Sequence, residues 1–208
     1  MTAVKVCGVT NVEDARLAAE LGADFLGLNF WRGSPRRVSV EAARGIAEEV
    51  RGRVRLVGVF VNHPAEEVAS IARAVELDLL QFHGDEEPET VAIFGPRAIK
   101  VLRTAKRPEP GLFAAYPAVW GFLVEPARPG VYGGSGEPWS YGEAAALPSE
   151  KPVLVAGGIG PENVRAVIAA ARPWGVDVCS RVECRPGAKD AALLRRLFEE
   201  VRHAQALA

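Results

Sequence analysis

Eight short apolar runs, each followed by a longer stretch of helical periodicity, constrain this chain more than any other feature. The runs are Val4–Cys7, Phe25–Phe30, Leu56–Val61, Leu79–Phe82, Ala98–Leu102, Phe122–Val124, Val153–Ala156 and Val176–Cys179. They are continuous rather than alternating, as strands covered on both faces of a parallel sheet are. Helix-like segments lie between them: Val12–Leu21, Val40–Val50, Ala65–Val75, Glu87–Phe94, a short one near Leu112–Tyr116, Tyr141–Leu147 and Pro161–Ala171, with Ala188–Ala206 last. Asn11 is placed to cap the first helix and Gly22 to end it. Pro64, Pro88 and Pro161 sit near helix starts, where a missing N–H costs little. A weak repeat supports the pattern. Around Asp24, Asp78 and Asp177 the sequence reads as a helix end, a tight turn, an Asp and a strand.

Eight strand–helix units predict an α/β fold: one (β/α)8 TIM barrel domain over residues 1–208, near the lower length limit of roughly 200 for that fold. A doubly wound open sheet is the alternative. It would usually carry a Gly-rich first turn, and Cys7-Gly8-Val9-Thr10-Asn11 is no dinucleotide fingerprint. The longest irregular stretch, Pro126–Pro138, has the length of a lid or binding loop.

Charge narrows the class further. Lys plus Arg is 25 and Asp plus Glu is 26, a net charge of −1, which excludes a generally basic nucleic-acid binder. No apolar run reaches the roughly 18 residues of a membrane span. The first residues lack the charged-then-apolar pattern of a secretory signal. Three cysteines (Cys7, Cys179 and Cys184) do not form a secreted disulfide framework, and no Cys/His spacing suits a zinc site. The expectation is a cytoplasmic protein with no metal, membrane or nucleic-acid partner.

In a barrel the chemistry sits at the C-terminal ends of the strands. Gly157-Gly158-Ile159-Gly160 runs from strand seven toward a helix, where backbone N–H groups and the helix start favour an anion. Ser180 and Arg181 at the end of strand eight would complete a phosphate site; a turn that merely tightens packing is the other reading. Cys7 ends strand one and is either a core residue or a base, the latter requiring positive surroundings. Glu125 ends strand six and either pairs with an Arg or does acid/base work. Arg36, in Ser34-Pro35-Arg36-Arg37, either holds an anion or is solvated. His83 lines the mouth or is a satisfied structural histidine. Cys179 and Cys184 read as packing and loop residues. A Cys base facing a carboxylic acid suits isomerase chemistry.

Together these residues resemble the phosphoribosylanthranilate isomerase family over essentially the whole chain. The marks are Val4-Lys5-Val6-Cys7-Gly8-Val9-Thr10, Ser34-Pro35-Arg36, Gly58-Val59-Phe60-Val61-Asn62 and Gln81-Phe82-His83-Gly84-Asp85. They continue through Tyr132-Gly133-Gly134-Ser135-Gly136, Gly157-Gly158-Ile159 to Asn163, and Val176–Glu183 with Pro186-Gly187-Ala188-Lys189-Asp190. The resemblance implies a ribulose-phosphate-binding type of barrel, a phosphorylated small-molecule substrate and no cofactor or metal. It implies an Amadori rearrangement with Cys7 as base, a carboxylic acid at Glu125, Arg36 on the anthranilate carboxylate, and phosphate on the Gly157-Gly158 and Ser180-Arg181 loops. Barrels of this kind occur as monomers or homodimers. The chain departs from the family pattern twice: Glu125 stands where Asp is usual, and Arg181 where Gly is usual. These departures keep two alternatives open, another sugar-phosphate isomerase or lyase and a non-catalytic phosphate binder.

Overall fold

A computed structural model describes residues 1–104, 108–127 and 149–206. Its eight strands are β1 (Ala3–Cys7), β2 (Phe25–Asn29), β3 (Arg55–Phe60), β4 (Leu79–Phe82), β5 (Ala98–Thr104), β6 (Gly121–Pro126), β7 (Val153–Val155) and β8 (Gly175–Val178). All eight pairings are parallel, and β1 bonds to β8, so the sheet closes into a barrel in chain order. Each apolar run is a strand. The described helices are α1 (Val12–Leu21), α2 (Val40–Val50), α3 (Ala65–Val75), α4 (Pro88–Ala92), α5 (Pro110–Ala114), α6 (Val164–Ala171) and α7 (Ala191–Ala206). The expected helix Tyr141–Leu147, the Gly-rich segment at Tyr132 and most of the loop Pro126–Pro138 lie outside the described residues.

Strand alternation makes two apolar layers. Phe25, Val57, Leu79, Ile99, Leu123 and Leu154 fill the barrel interior. Their neighbours, such as Val6, Leu26, Leu80, Phe122 and Val176, face the helices in the larger core. Burying each such side chain contributes roughly 1.5–3 kcal/mol before entropy is subtracted. A continuous apolar run therefore serves both layers at once. The exceptions inside the barrel are polar: Lys5 and Gln81 have no solvent exposure, and Asp177 is 9% exposed.

The helix starts follow local chemistry. Asp14 N–H donates to Asn11 Oδ1 at 2.8 Å, and Gly22 ends α1 at φ 101°. Helix α6 begins at Val164, not Pro161, because Asn163 is spent on the preceding loop: Gly160 N–H donates to its Oδ1 at 2.8 Å, and its Nδ2 donates to Gly158 O at 2.8 Å. Helix α7 begins at Ala191, not Ala188. Strand β10 (Ala188–Lys189) pairs with β9 (Glu183–Arg185), and Asp190 Oδ1 then accepts from Ala192 and Leu193.

Two members of the expected Asp repeat share one device. Val4 N–H donates to Asp24 Oδ2 at 2.8 Å, and Leu56 N–H donates to Asp78 Oδ2 at 2.7 Å. Each Asp precedes its strand and satisfies a donor at the start of the strand before it. The third member is different. Asp177 lies within β8, and the αL helix end matching Gly22 and Glu76 is Arg172. Trp174 occupies the turn position that Asp24 and Asp78 hold elsewhere. Asp177 instead faces the barrel interior and accepts from Lys5 Nζ at 2.7 Å.

Candidate active site

The strand ends converge on a cavity of about 320 Å³ lined by Cys7, Arg36, His83, Glu125, Gly157, Gly158 and Ser180, among others. Seven of the eight residues expected to form a site thus meet at one place. The eighth, Arg181, puts its guanidinium outside the lining, where Nη1 donates to Glu162 Oε1 at 3.0 Å. A Cβ on Gly160 would lie 2.7 Å from Arg181 Cβ, so glycine at 160 makes room for the larger residue at 181. Arg181 thereby links the loops after β7 and β8 rather than crowding the cavity between them.

Cys7 ends β1 and is buried. Its thiol is held well below the ordinary range, first by a hydrogen bond from Cys179, then by Lys5 and Lys189, all acting against burial. Lys5 and the sulfur sit on one glycine: a Cβ at Gly27 would lie 2.7 Å from Cys7 Sγ and 3.1 Å from Lys5 Nζ. The Lys5 ammonium therefore serves two acid groups, Cys7 and Asp177. Burial would lower its affinity for its proton, but these two groups outweigh that and raise it. Asp177 is pushed up to about 7 by burial and by repulsion from Cys7, against the pull of Lys5. Lys5 stays protonated, and as pH falls Asp177 takes up a proton well above the usual carboxylate range.

Glu125 faces the cavity from β6 with only 6% exposure. His83 Nε2 lies 2.7 Å from its Oε1, and Gln81 Nε2 lies 3.0 Å from His83 Nδ1. Gln81 Oε1 is the buried side-chain atom without a partner among the described residues. Turning that amide would present its oxygen to Nδ1, so the chain Gln81–His83–Glu125 suits a neutral or a protonated ring. Burial works to lower the His83 pKa, and the adjacent Glu125 more than offsets it, leaving it raised.

Arg36 meets a carboxylate of this chain. Its Nε and Nη2 donate to Glu183 at 2.8–3.0 Å, which leaves the Nη1 edge of the fork for a ligand. Glu183 also accepts from Lys189 Nζ at 2.8 Å. The loop after β7 turns through Gly157 at φ 99° and Gly158 at φ 64°. A Cβ at Gly157 would lie 2.4 Å from Pro126 Cδ, so only glycine fits there.

Four contributors escape the sequence reading: Lys5, Asp177, Cys179 and Glu183. A lysine and an aspartate inside apolar runs are the only signals available, and Cys179 reads as packing until the fold sets it beside Cys7.

The chain matches the family model for N-(5′-phosphoribosyl)anthranilate (PRA) isomerase over residues 4–200. The N-(5′-phosphoribosyl)anthranilate isomerase of Rubrobacter xylanophilus is 46% identical over 199 residues, covering 94% of this chain and 97% of the relative. The solved phosphoribosyl anthranilate isomerase of Thermus thermophilus superposes with a TM-score of 0.87 at 41% identity, covering 97% of this chain and 99% of that one. A further solved phosphoribosyl anthranilate isomerase, in complex with reduced 1-(o-carboxyphenylamino)-1-deoxyribulose 5-phosphate, superposes at 0.85 with 32% identity and covers 98% and 100%. Sequence, barrel topology and strand-end chemistry agree, and the chain belongs to the N-(5′-phosphoribosyl)anthranilate isomerase family.

Proposed function

We propose that this chain carries out the Amadori rearrangement of its family with Cys7 as general base and Glu125 as general acid. The observation that carries this reading is the meeting of a cysteine flanked by Lys5 with a buried, histidine-bonded carboxyl in one cavity. Glu125 gives the proton it shares with His83 to the ribose ring oxygen, the C1′–O bond breaks, and a Schiff base forms with the anthranilate nitrogen. The Cys7 thiolate then takes the C2′ proton, and the electron pair moves to form an enolamine. Tautomerisation gives 1-(2-carboxyphenylamino)-1-deoxyribulose 5-phosphate. His83 keeps Glu125 oriented. The Nη1 edge of Arg36, held by Glu183, suits the anthranilate carboxylate. The backbone donors of the Gly157-Gly158 loop and the turn at Ser180-Arg181 suit the phosphate. No step needs a cofactor.

We read residues 1–208 as one barrel domain, since strands from Ala3 to Val178 close a single sheet. No described helix is long and apolar enough to cross a membrane. The three cysteines are free thiols, which fits a reducing compartment such as the cytoplasm. Turnover of phosphoribosylanthranilate generated in situ, followed by the fall in anthranilate-ring fluorescence, tests the reading. Rapid turnover lost in Cys7→Ala is expected. A folded wild-type protein without turnover would overturn it.

A further inference from the structure

Strands β1 and β8 run side by side with Lys5 opposite Asp177 and Val6 opposite Val178. One step further, Cys7 ends β1 and Cys179 is the first residue past β8. Strand side chains alternate with a period of two, so Cys7 faces the same way as Lys5, one layer nearer the cavity, and Cys179 is its neighbour across the seam. Both line that cavity. Neighbouring parallel strands lie about 4.8 Å apart, which sets the two cysteines side by side. Lys189 clamps the two strand ends, its Nζ donating to Cys7 O at 2.6 Å and to Cys179 O at 3.5 Å.

The Cys179 thiol has one other acceptor, Glu183 Oε1 at 3.9 Å. That oxygen already accepts from Lys189 at 2.8 Å, Arg36 at 3.0 Å and Gly187 at 3.3 Å. That oxygen is already crowded, and the Cys7 sulfur lines the same cavity as Cys179. We propose that Cys179 is a positioning residue for the reaction, its thiol donating to the Cys7 sulfur and holding that sulfur's negative charge toward the cavity. The inference rests on Cys7 acting as the base.

The other charged groups around Cys7 leave this work to Cys179. Lys5, from the same strand, divides its charge with Asp177 of β8. Lys189, from β10, and Arg36, from the loop after β2, are both bonded to Glu183 of β9. His83, after β4, is bonded to Glu125 of β6. Each cation is bonded to a carboxylate, Lys189 and Arg36 sharing Glu183, whereas the Cys179 thiol meets that carboxylate only at 3.9 Å. The two sulfurs are driven apart in the sense this predicts: Cys7 falls well below the ordinary thiol range and Cys179 rises well above it, the hydrogen bond between them being the leading cause in each.

Iodoacetamide alkylation of Cys7 from about pH 5 to about pH 10, resolved by peptide mass mapping in a Cys184→Ser background, reads the thiolate directly. The pH profile of kcat/KM reads the same group in catalysis. Cys179→Ala is expected to move both profiles up by about one pH unit, a loss approaching about tenfold on the acid limb that recovers in alkali. Cys179→Ser keeps a donor and should restore the parent profiles. Cys179→Val, close in volume and unable to donate, should behave as alanine does and replaces it if the smaller side chain unfolds the barrel. Coincident alkylation profiles in the parent and the alanine or valine variant would overturn the proposal. So would equal losses in the alanine and serine variants with unmoved profiles, the mark of a packing role. Failure of the underlying reading looks different: near-normal turnover in Cys7→Ala, whatever the alkylation shows.

Discussion

A cysteine can serve as a base near neutrality only if its surroundings favour the thiolate, and Cys7 has Cys179, Lys5 and Lys189 to do so against the cost of burial. On the proposed mechanism the thiolate is the active form, so kcat/KM should rise with pH through a Cys7 titration centred well below the ordinary thiol value of 9.0. A rise centred near 9 would show that the barrel does not hold the thiolate. Cys7→Ala should cost on the order of 10²–10⁴ in kcat, the usual share of a positioned proton-transfer group. Glu125→Gln should lower kcat far more than it changes KM; a changed KM with kcat intact would give Glu125 a binding role instead. Glu125→Asp is the sharper test of the departure at this position. His83 meets the longer carboxyl at 2.7 Å. Shortening the side chain by roughly one C–C bond, about 1.5 Å, pulls it off that partner. A misplacement near 1 Å can cost on the order of 100-fold in rate. Cys7, Glu125, His83 and Arg36 were legible in the sequence because each is a reactive residue at or just beyond the end of an apolar run. Lys5 and Asp177 were not. They lie 172 positions apart, and only the closing register of β1 on β8 makes them one group. Cys179 was hidden for the same reason, since a cysteine at a strand end reads as packing until its neighbour is known.

At the scale of elements, the strands were readable because both faces of each are covered, so alternation is replaced by continuous apolar runs with few competing patterns. Helix starts were read less well where a loop residue had other work, as Asn163 and Lys189 do. The Asp repeat shows both outcomes. Asp24 and Asp78 each answer a strand N–H from the turn before the next strand. Asp177 matches them in local spelling but sits three positions beyond the equivalent turn residue, Trp174. The two kinds of Asp should therefore separate experimentally. Asp24→Ala and Asp78→Ala each leave a strand-start N–H without its acceptor and should cost about 1–3 kcal/mol in denaturant unfolding. Both turns lie at the end of the barrel opposite the cavity, so kcat should hold. A stability loss below about 0.5 kcal/mol would make these bonds dispensable, and a matching loss of kcat would mean the turns reach the active site.

The barrel closes at one seam, where the first strand finds the last, and a buried ion pair across that seam joins Lys5 to Asp177 at 2.7 Å. Neither side chain is replaceable in isolation. Removing the ammonium leaves the Asp177 carboxylate buried without its cation, and breaking such a pair typically costs about 3–5 kcal/mol. Lys5→Met should lose stability in that range, measured by urea unfolding, and lose turnover with it. Asp177→Asn removes a charge that burial already opposes, so the double variant should be more stable than the sum of the two single losses predicts. Additive losses would show that the seam is held by its apolar neighbours alone. The pH dependence has a definite sign. Asp177 binds its proton up to about 7 in the folded chain against an ordinary 3.8, so the folded state holds more protons between those values. The stability that this group contributes is present below 3.8 and is lost as pH rises through about 7. Asp177→Asn should flatten the fall in stability between pH 4 and 7, while the Cys7 limb of kcat/KM moves separately. The seam thus joins two jobs: the charge pair across it also supplies the cation beside the Cys7 sulfur.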